Sequence, residues 1–527
     1  MLLYYLSILI PIISAKSPEG IWYFNMFFHY DVSPSTWFYL SSLMLIGIFF
    51  KFYRAISVRN LDLLSLLVFG PSMLMLMNGC LPGGSDVNVI MGYIVIFLMT
   101  LLFIIRMLLD CLMVRRPLLE PNLNSSGLRF TCISLALFLA GSIAITVSPL
   151  EIHNNSPEME NFIKHPTSLE GALRIEQLTH AANNPTHPRV ERGPGYPWFQ
   201  EYALKSRDKS KPEPTQTNGS ESQQAPESTS EEQDSALITP ESPEIADASV
   251  TPQKPVSVFN ESQVHWTKFF AVIGQLVIIA GIVAVGTYHF GNFDSGVAAA
   301  VFYLLLPYCY QFQTRLDHII PAGFIIWAVV FYRRPWISGL LLGFATSLIY
   351  YPFFLIPLWI GFYWRRGAIR FTISLIATVT IMGLSVLIFS HNHEECVSNM
   401  LNMMGFAGLF INQPQGFWEM VAPDITYKIP IVTTFCGLSF SLIFWPPQKN
   451  LGVLLSCSAA ILMGAQLVHP FQGGLYMAWY LPVLILAIFR PNLEDRVATS
   501  SVFESRFRII PRAPQNTNPP ENAEANA

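Results

Sequence analysis

Charge is what this chain has least of. Only 13% of its 527 residues are Asp, Glu, Lys or Arg, about half the share of a typical soluble domain. That speaks against a water-soluble globule. It also leaves no basic surface for nucleic acid, because Lys and Arg sit at the ends of apolar runs, where membrane topology accounts for them. Cysteine is sparse and scattered. Cys80, Cys111, Cys132, Cys309, Cys396, Cys436 and Cys457 lie singly, so neither a disulfide framework nor a Cys-x-x-Cys zinc site is indicated. There is no P-loop, no dinucleotide fingerprint and no Ser-His-Asp signature. No cofactor or metal is expected from the motifs. Residues 1–15 (MLLYYLSILIPIISA) lack a basic n-region and a clear small-residue cleavage site, so a retained short helix is favoured over a signal segment.

Apolar residues are what the chain does have: 52% are hydrophobic and the mean hydropathy is +0.40. Repeated runs of membrane-crossing length predict an all-α, polytopic helical membrane protein with about 12–14 transmembrane segments. The expected runs are 37–50, 61–77, 87–105, 130–147, 269–286, 296–306, 319–332, 371–389, 429–444, 451–468 and 475–489, with a broken pair between 335 and 364. The Arg-bearing loops at 51–59, 106–129, 333–334, 365–370 and 490–496 all fall on one side when the runs alternate, and that side is expected to be cytoplasmic. Residues 1–148 form an N-terminal transmembrane part and 266–490 a C-terminal one. The polar stretch 149–265 between them is an extracytoplasmic insert. Its portion 206–256 is rich in Ser, Pro, Glu, Gln and Thr and is expected to be disordered, as is the cytoplasmic tail 491–527 from about residue 512.

The organising stretch runs from Asp317 to Arg366. Arg333-Arg334 and Arg365-Arg366 fence 30 apolar residues, too many for one straight crossing, which takes about 20. Pro352 lacks an N–H and breaks the run beside Tyr350 and Tyr351. Two short helices, out and back, would put both Arg pairs on one side and the Tyr-Tyr-Pro tip on the other. A second break is expected at Pro307.

On the tip side the alternation collects the polar candidates. Asp31 lies in an aromatic stretch (Trp22, Tyr23, Phe24, Phe27, Phe28, Tyr30, Trp37), where an apolar shelf raises a carboxylate's pKa and suits it to general-base work. Its plainer reading is a helix-capping Asp in an interfacial belt. Arg315, Asp317 and His318 share one short turn, a cation, an acid and an imidazole suited to a phosphate-headed lipid. Their plainer reading is an Arg–Asp pair snorkelling at a helix end. His469 and Gln472 occupy the His469–Gly474 turn, where they would meet a sugar or diphosphate unless the turn is a simple loop. His391–Cys396 (HNHEEC) is metal-like in composition but fits no zinc spacing.

Arg333-Arg334-Pro335, Gly339–Ala345, Tyr351-Pro352 and Leu355–Leu358, with Ala478–Pro482 and Arg490-Pro491-Asn492 near the end, resemble segments of membrane-embedded glycosyltransferases of the GT-C superfamily. The similar branch is the polyprenol-phosphate-mannose-dependent mannosyltransferase-like bacterial proteins. The resemblance covers residues 266–390 and 450–492. It implies a sugar donor carried on polyprenyl phosphate and a multi-pass bacterial plasma-membrane protein. It also implies transfer on the extracytoplasmic side and an acidic base in an early outer loop, where Asp31 stands. Residue 349 is Ile where family members often carry a basic residue, so a phosphate contact would fall to Arg315 or His318. A transporter or flippase of lipid-linked precursors is the alternative, and a non-catalytic scaffold whose insert binds an envelope partner is the third reading.

Overall fold

The computed structural model describes residues 34–79, 85–112, 120–145, 261–310, 315–389, 416–421, 425–470, 473–493 and 496–502. The expectations for residues 1–15, for 149–260, for His391–Cys396 and for the tail beyond 502 lie outside the described residues. The architecture is all-α and polytopic; β structure among the described residues is limited to an isolated bridge between Asn450 and Val497. Among the described residues six helices are long and apolar enough to cross a membrane, including Val58–Gly79, Trp266–Tyr288 and Leu451–Val468, and there are shorter apolar helices besides.

In chain order the helices are α1 (Pro34–Phe49), α2 (Val58–Gly79), α3 (Asp86–Leu109), α4 (Ser125–Ile145), α5 (Glu261–Tyr288), α6 (Phe293–Leu305), α7 (Leu316–Val330), α8 (Pro335–Leu348), α9 (Ile356–Tyr363), α10 (Ala368–Phe389), α11 (Phe417–Val421), α12 (Ile425–Ser441), α13 (Leu451–Val468), α14 (Leu481–Phe489) and α15 (Ala498–Ser501). Their starts follow local chemistry. Asn292 accepts from the backbone N–H groups of Asp294 and Ser295 to open α6, and Asn450 accepts from Val453 N–H to open α13. Proline stands in the first turn of α8, α9 and α14, where its missing N–H has no intrahelical partner to lose.

The folded-back hairpin is present. Pro352 would have had to donate to Leu348, and α8 ends at Leu348; Ile349 is extended, and a 3-10 turn over Tyr351–Leu355 leads into α9. The return is fixed at the far end, where Tyr363 Oη donates to the Tyr332 carbonyl at 2.5 Å, beside the Arg333-Arg334 turn. Both Arg pairs therefore share one end of the bundle. The second break is also there: α6 stops at Leu305 and a 3-10 turn runs over Pro307–Tyr310.

That basic end is stitched together from several helices. His289 Nε2 bonds to the Val330 carbonyl at 2.8 Å, Arg366 to the Thr499 carbonyl at 2.6 Å, and Leu451 N–H to the Arg496 carbonyl at 3.0 Å. A buried ionic chain crosses it. Arg106 meets Asp62 at 3.2 Å and Asp110 at 3.1 Å, and Arg490 meets Asp110 at 2.6 Å. α13 runs through the middle with every residue buried, so its apolar pattern carries no amphipathic period.

Three expected boundaries are corrected. Residues 475–480 are not the start of the last crossing: they form a non-helical stretch with a 3-10 turn at Met477–Trp479, and α14 begins at Leu481, where Pro482 suits a first turn. α5 begins at Glu261, inside the stretch assigned to the polar insert. Lys428, just outside the expected run 429–444, lies inside α12 and is 1% exposed.

Candidate functional site at the hairpin tip

The chain breaks bring the site together. Arg315 caps α7, and Asp317 and His318 occupy its first turn rather than a free turn. The α8–α9 break presents Tyr350 and Tyr351. α13 ends at Val468, placing His469 at its C-cap, and the 475–480 stretch brings Tyr476 and Trp479 alongside.

Trp479 is the hub. Its ring stacks on Tyr351 at 4.1 Å between centroids and on Tyr476 at 5.1 Å. His469 sits 5.4 Å from it, at 62° between ring planes. Its indole N–H donates to His318 Nδ1 at 2.5 Å. An Nδ1 that accepts must be unprotonated, so the neutral ring carries its hydrogen on Nε2, the nitrogen facing Asp317 Oδ2 at 3.9 Å. Asp317, 3% exposed, is held by Arg315 at 3.0 Å, and the Arg315 guanidinium lies 5.8 Å over the Tyr476 ring. Tyr350 Oη and His469 Nδ1 share a hydrogen bond of 2.5 Å. Burial holds the His469 imidazole well below the usual histidine range, and the nearby Lys428, His318 and Arg315 add to that. His469 is therefore neutral at pH 7.

Four of the expected residues, Arg315, Asp317, His318 and His469, thus converge on one aromatic core at the end opposite the Arg pairs. The plainer reading of Arg315 and Asp317 as an ion pair at a helix end is what the geometry gives, with His318 Nε2 3.9 Å from the carboxylate. Asp31 and Gln472 lie outside the described residues. Reading the sequence missed Tyr350, Tyr351, Tyr476, Trp479 and Lys428 as members. The Tyr-Tyr-Pro break was visible, but as a hinge rather than as chemistry, and the aromatic residues after His469 read as helix.

The assembled groups are a guanidinium matched by a carboxylate, two buried imidazoles in fixed orientation, and broad aromatic faces. Such a set suits a ligand with an anionic head and a ring or chain that packs on aromatic surface. Comparison with protein-family models, with curated proteins and with solved structures found no match. What the fold defines is a polytopic helical membrane protein with a polar, aromatic-lined site at one end of its bundle.

Proposed function

We propose that the chain is a membrane-embedded glycosyltransferase of the bacterial plasma membrane. It would transfer a sugar from a polyprenyl-phosphate donor to a glycan, lipid or protein acceptor of the envelope, on the extracytoplasmic side. The observation that carries this reading is the convergence of Arg315, His318 and His469 on the Trp479 core at the end away from the Arg pairs. Clustered Arg marks the cytoplasmic end by the charge rule, so the site end faces out.

In the proposed reaction the acceptor hydroxyl oxygen attacks the anomeric carbon of the donor. The bond from that carbon to the phosphate oxygen breaks, and the phosphate leaves with the electron pair. Asp31 takes the hydroxyl proton. The helix that begins three residues after Asp31 rests on the site end, with Trp37 4.9 Å from Tyr310. Arg315 and His318 would meet the developing phosphate charge, and His469 and Gln472 the sugar.

Purified protein given a radiolabelled polyprenyl-phosphate sugar should release labelled product, and Asp31→Asn should lower kcat by roughly 10²–10⁴. Transfer by Asp31→Asn at the wild-type rate removes Asp31 from this role. The helix ends at Leu305 and Leu348, broken beside the site, favour a flippase as the second reading. Labelled lipid crossing proteoliposome bilayers with no product formed would select it.

A further inference from the structure

Cys111 and Cys457 stand 346 residues apart in the chain, yet their Sγ atoms lie 3.3 Å from each other. The contact joins the 3-10 turn Asp110–Leu112, which follows α3, to the first half of α13. Successive residues on the two elements meet in order. Ser456 Oγ donates to Asp110 Oδ2 at 2.5 Å, and the next residue of each brings thiol against thiol. Arg490 also grips the turn, through Asp110 Oδ2 at 2.6 Å and the Asp110 carbonyl at 3.4 Å. The two thiols are thus set in place by the buried ionic chain and by a helix buried along its whole length.

The remaining described cysteines are placed differently. Cys309 is buried and its thiol donates to the Tyr303 carbonyl at 2.8 Å. Cys132 and Cys436 are half-buried, with no thiol beside them among the described residues. Within the pair, access is unequal: Cys111 is half-buried and Cys457 fully buried. That inequality separates a cysteine an oxidant reaches from one that resolves the product. Charge works in the same direction. Around the pair Arg106, Arg490 and Lys449 stand against Asp62 and Asp110, and Lys449 acts on Cys457 through space. A surplus cation favours the thiolate, which is the nucleophilic form. On the orientation proposed above this end is cytoplasmic, where disulfides are transient and serve redox sensing rather than structure.

We infer that Cys111 and Cys457 form a reversible dithiol–disulfide pair, oxidised by a hydroperoxide to a bond that ties α3 to α13. The Cys111 thiolate attacks one peroxide oxygen, and the O–O bond breaks. With hydrogen peroxide, the hydroxide that leaves takes up the proton Cys111 gave and becomes water. Cys111 is then a sulfenic acid. The Cys457 sulfur attacks the Cys111 sulfur, and the sulfenic hydroxyl leaves with the Cys457 proton as a second water. Two thiols and one hydrogen peroxide become a disulfide and two waters, and a small thiol reverses the bond by exchange. The inference does not rest on the transferase reading.

The test treats the purified full-length chain in micelles with hydrogen peroxide, alkylates the remaining thiols, and maps the products by non-reducing peptide mass spectrometry. One cross-linked pair of peptides, Cys111 to Cys457, should appear, lighter by two hydrogens than the reduced peptides. Cys132 and Cys436 should be alkylated, and dithiothreitol should restore both thiols of the pair. In Cys457→Ala the reaction should stop at Cys111, where dimedone traps the sulfenic acid; in Cys111→Ala dimedone should leave Cys457 unlabelled. Because the bond closes a span of 346 residues, oxidised wild type should need more SDS to unfold than reduced wild type, a difference absent in Cys457→Ala. Cys111 and Cys457 both alkylated after peroxide, either one bonded to another cysteine, a dimedone adduct on Cys457 in Cys111→Ala, or equal SDS resistance of oxidised and reduced wild type overturns the inference. The mapping on wild type needs no variant, so a variant that fails to fold does not shield the inference.

Discussion

Asp110 is the keystone of the basic end, and its neutralisation makes a quantitative prediction. The carboxylate is fully buried and accepts from Arg490 at 2.6 and 3.1 Å, from Arg106 at 3.1 Å and from Ser456 Oγ at 2.5 Å. Asp110→Asn removes the negative charge and leaves the volume. Arg106 keeps Asp62 at 3.2 Å, so its loss is partial. Arg490, 6% exposed, is left as a buried cation without its counter-charge, the situation that costs about 3–5 kcal/mol when one partner of a buried pair is removed. Asp110→Asn should therefore destabilise by about that amount. Arg490→Met alone should cost less than that, because Asp110 keeps Arg106 at 3.1 Å and Ser456 Oγ at 2.5 Å. The double variant, in which both charges are gone, should lose well under the sum of the two, because a neutral packed replacement of a buried pair is often tolerated. Reversible unfolding in mixed micelles under increasing SDS, followed by far-ultraviolet circular dichroism, gives each value. A single-variant cost below about 1 kcal/mol, or a double variant whose loss equals the sum, would refute the reasoning.

Three further outcomes follow from other parts of the bundle. A Cβ added to Gly286 would collide with the backbone of Gly296, where α5 and α6 cross, so Gly286→Leu should cost about 3 kcal/mol or more in the same assay, with no side chain free to yield. Burial lowers His289 to about 4 from the usual 6.5, so the unfolded chain binds its proton first as pH falls. Stability should then decline from pH 6.5 toward 4 at up to about 1.4 kcal/mol per pH unit, with the slope flattened in His289→Asn. Single cysteines at the exposed positions Arg365 and Glu419, in a background without the natural cysteines, should react with an impermeant maleimide from opposite sides of sealed vesicles; labelling from one side removes the assigned orientation.

How far the sequence reached depends on the kind of signal. A proline between charge pairs is a backbone constraint, and Pro352 with the fencing Arg residues was enough to give the hairpin and its two ends. Arg315, Asp317, His318 and His469 were legible because polar groups at the edge of apolar runs are few. Tyr351 and Trp479 were not, since an aromatic residue beside a helix end reads equally as interfacial anchor or core. α13 is buried all round, so no periodicity marks which of its faces meets which neighbour, and Gln466 could not be told from a surface amide. Lys428 was misplaced for a related reason. A lone Lys at the edge of an apolar run is ordinarily solvated, and only the α12 stripe that buries it shows otherwise.

The two ends of the bundle handle charge in opposite ways, and that contrast separates scaffolding from binding. At the basic end Asp62, Arg106, Asp110 and Arg490 alternate in sign, so Arg106 and Arg490 each have a carboxylate within 3.2 Å, while the buried Lys449 ammonium donates to the Ile443 and Pro446 carbonyls at 3.0 and 2.9 Å. Such a chain is complete without a ligand and serves to fix α2, α3 and α14 against α13. At the other end Arg315 and Asp317 cancel, while the Lys428 ammonium, 5.6 Å from the Trp418 ring centre, has no hydrogen-bond partner among the described residues.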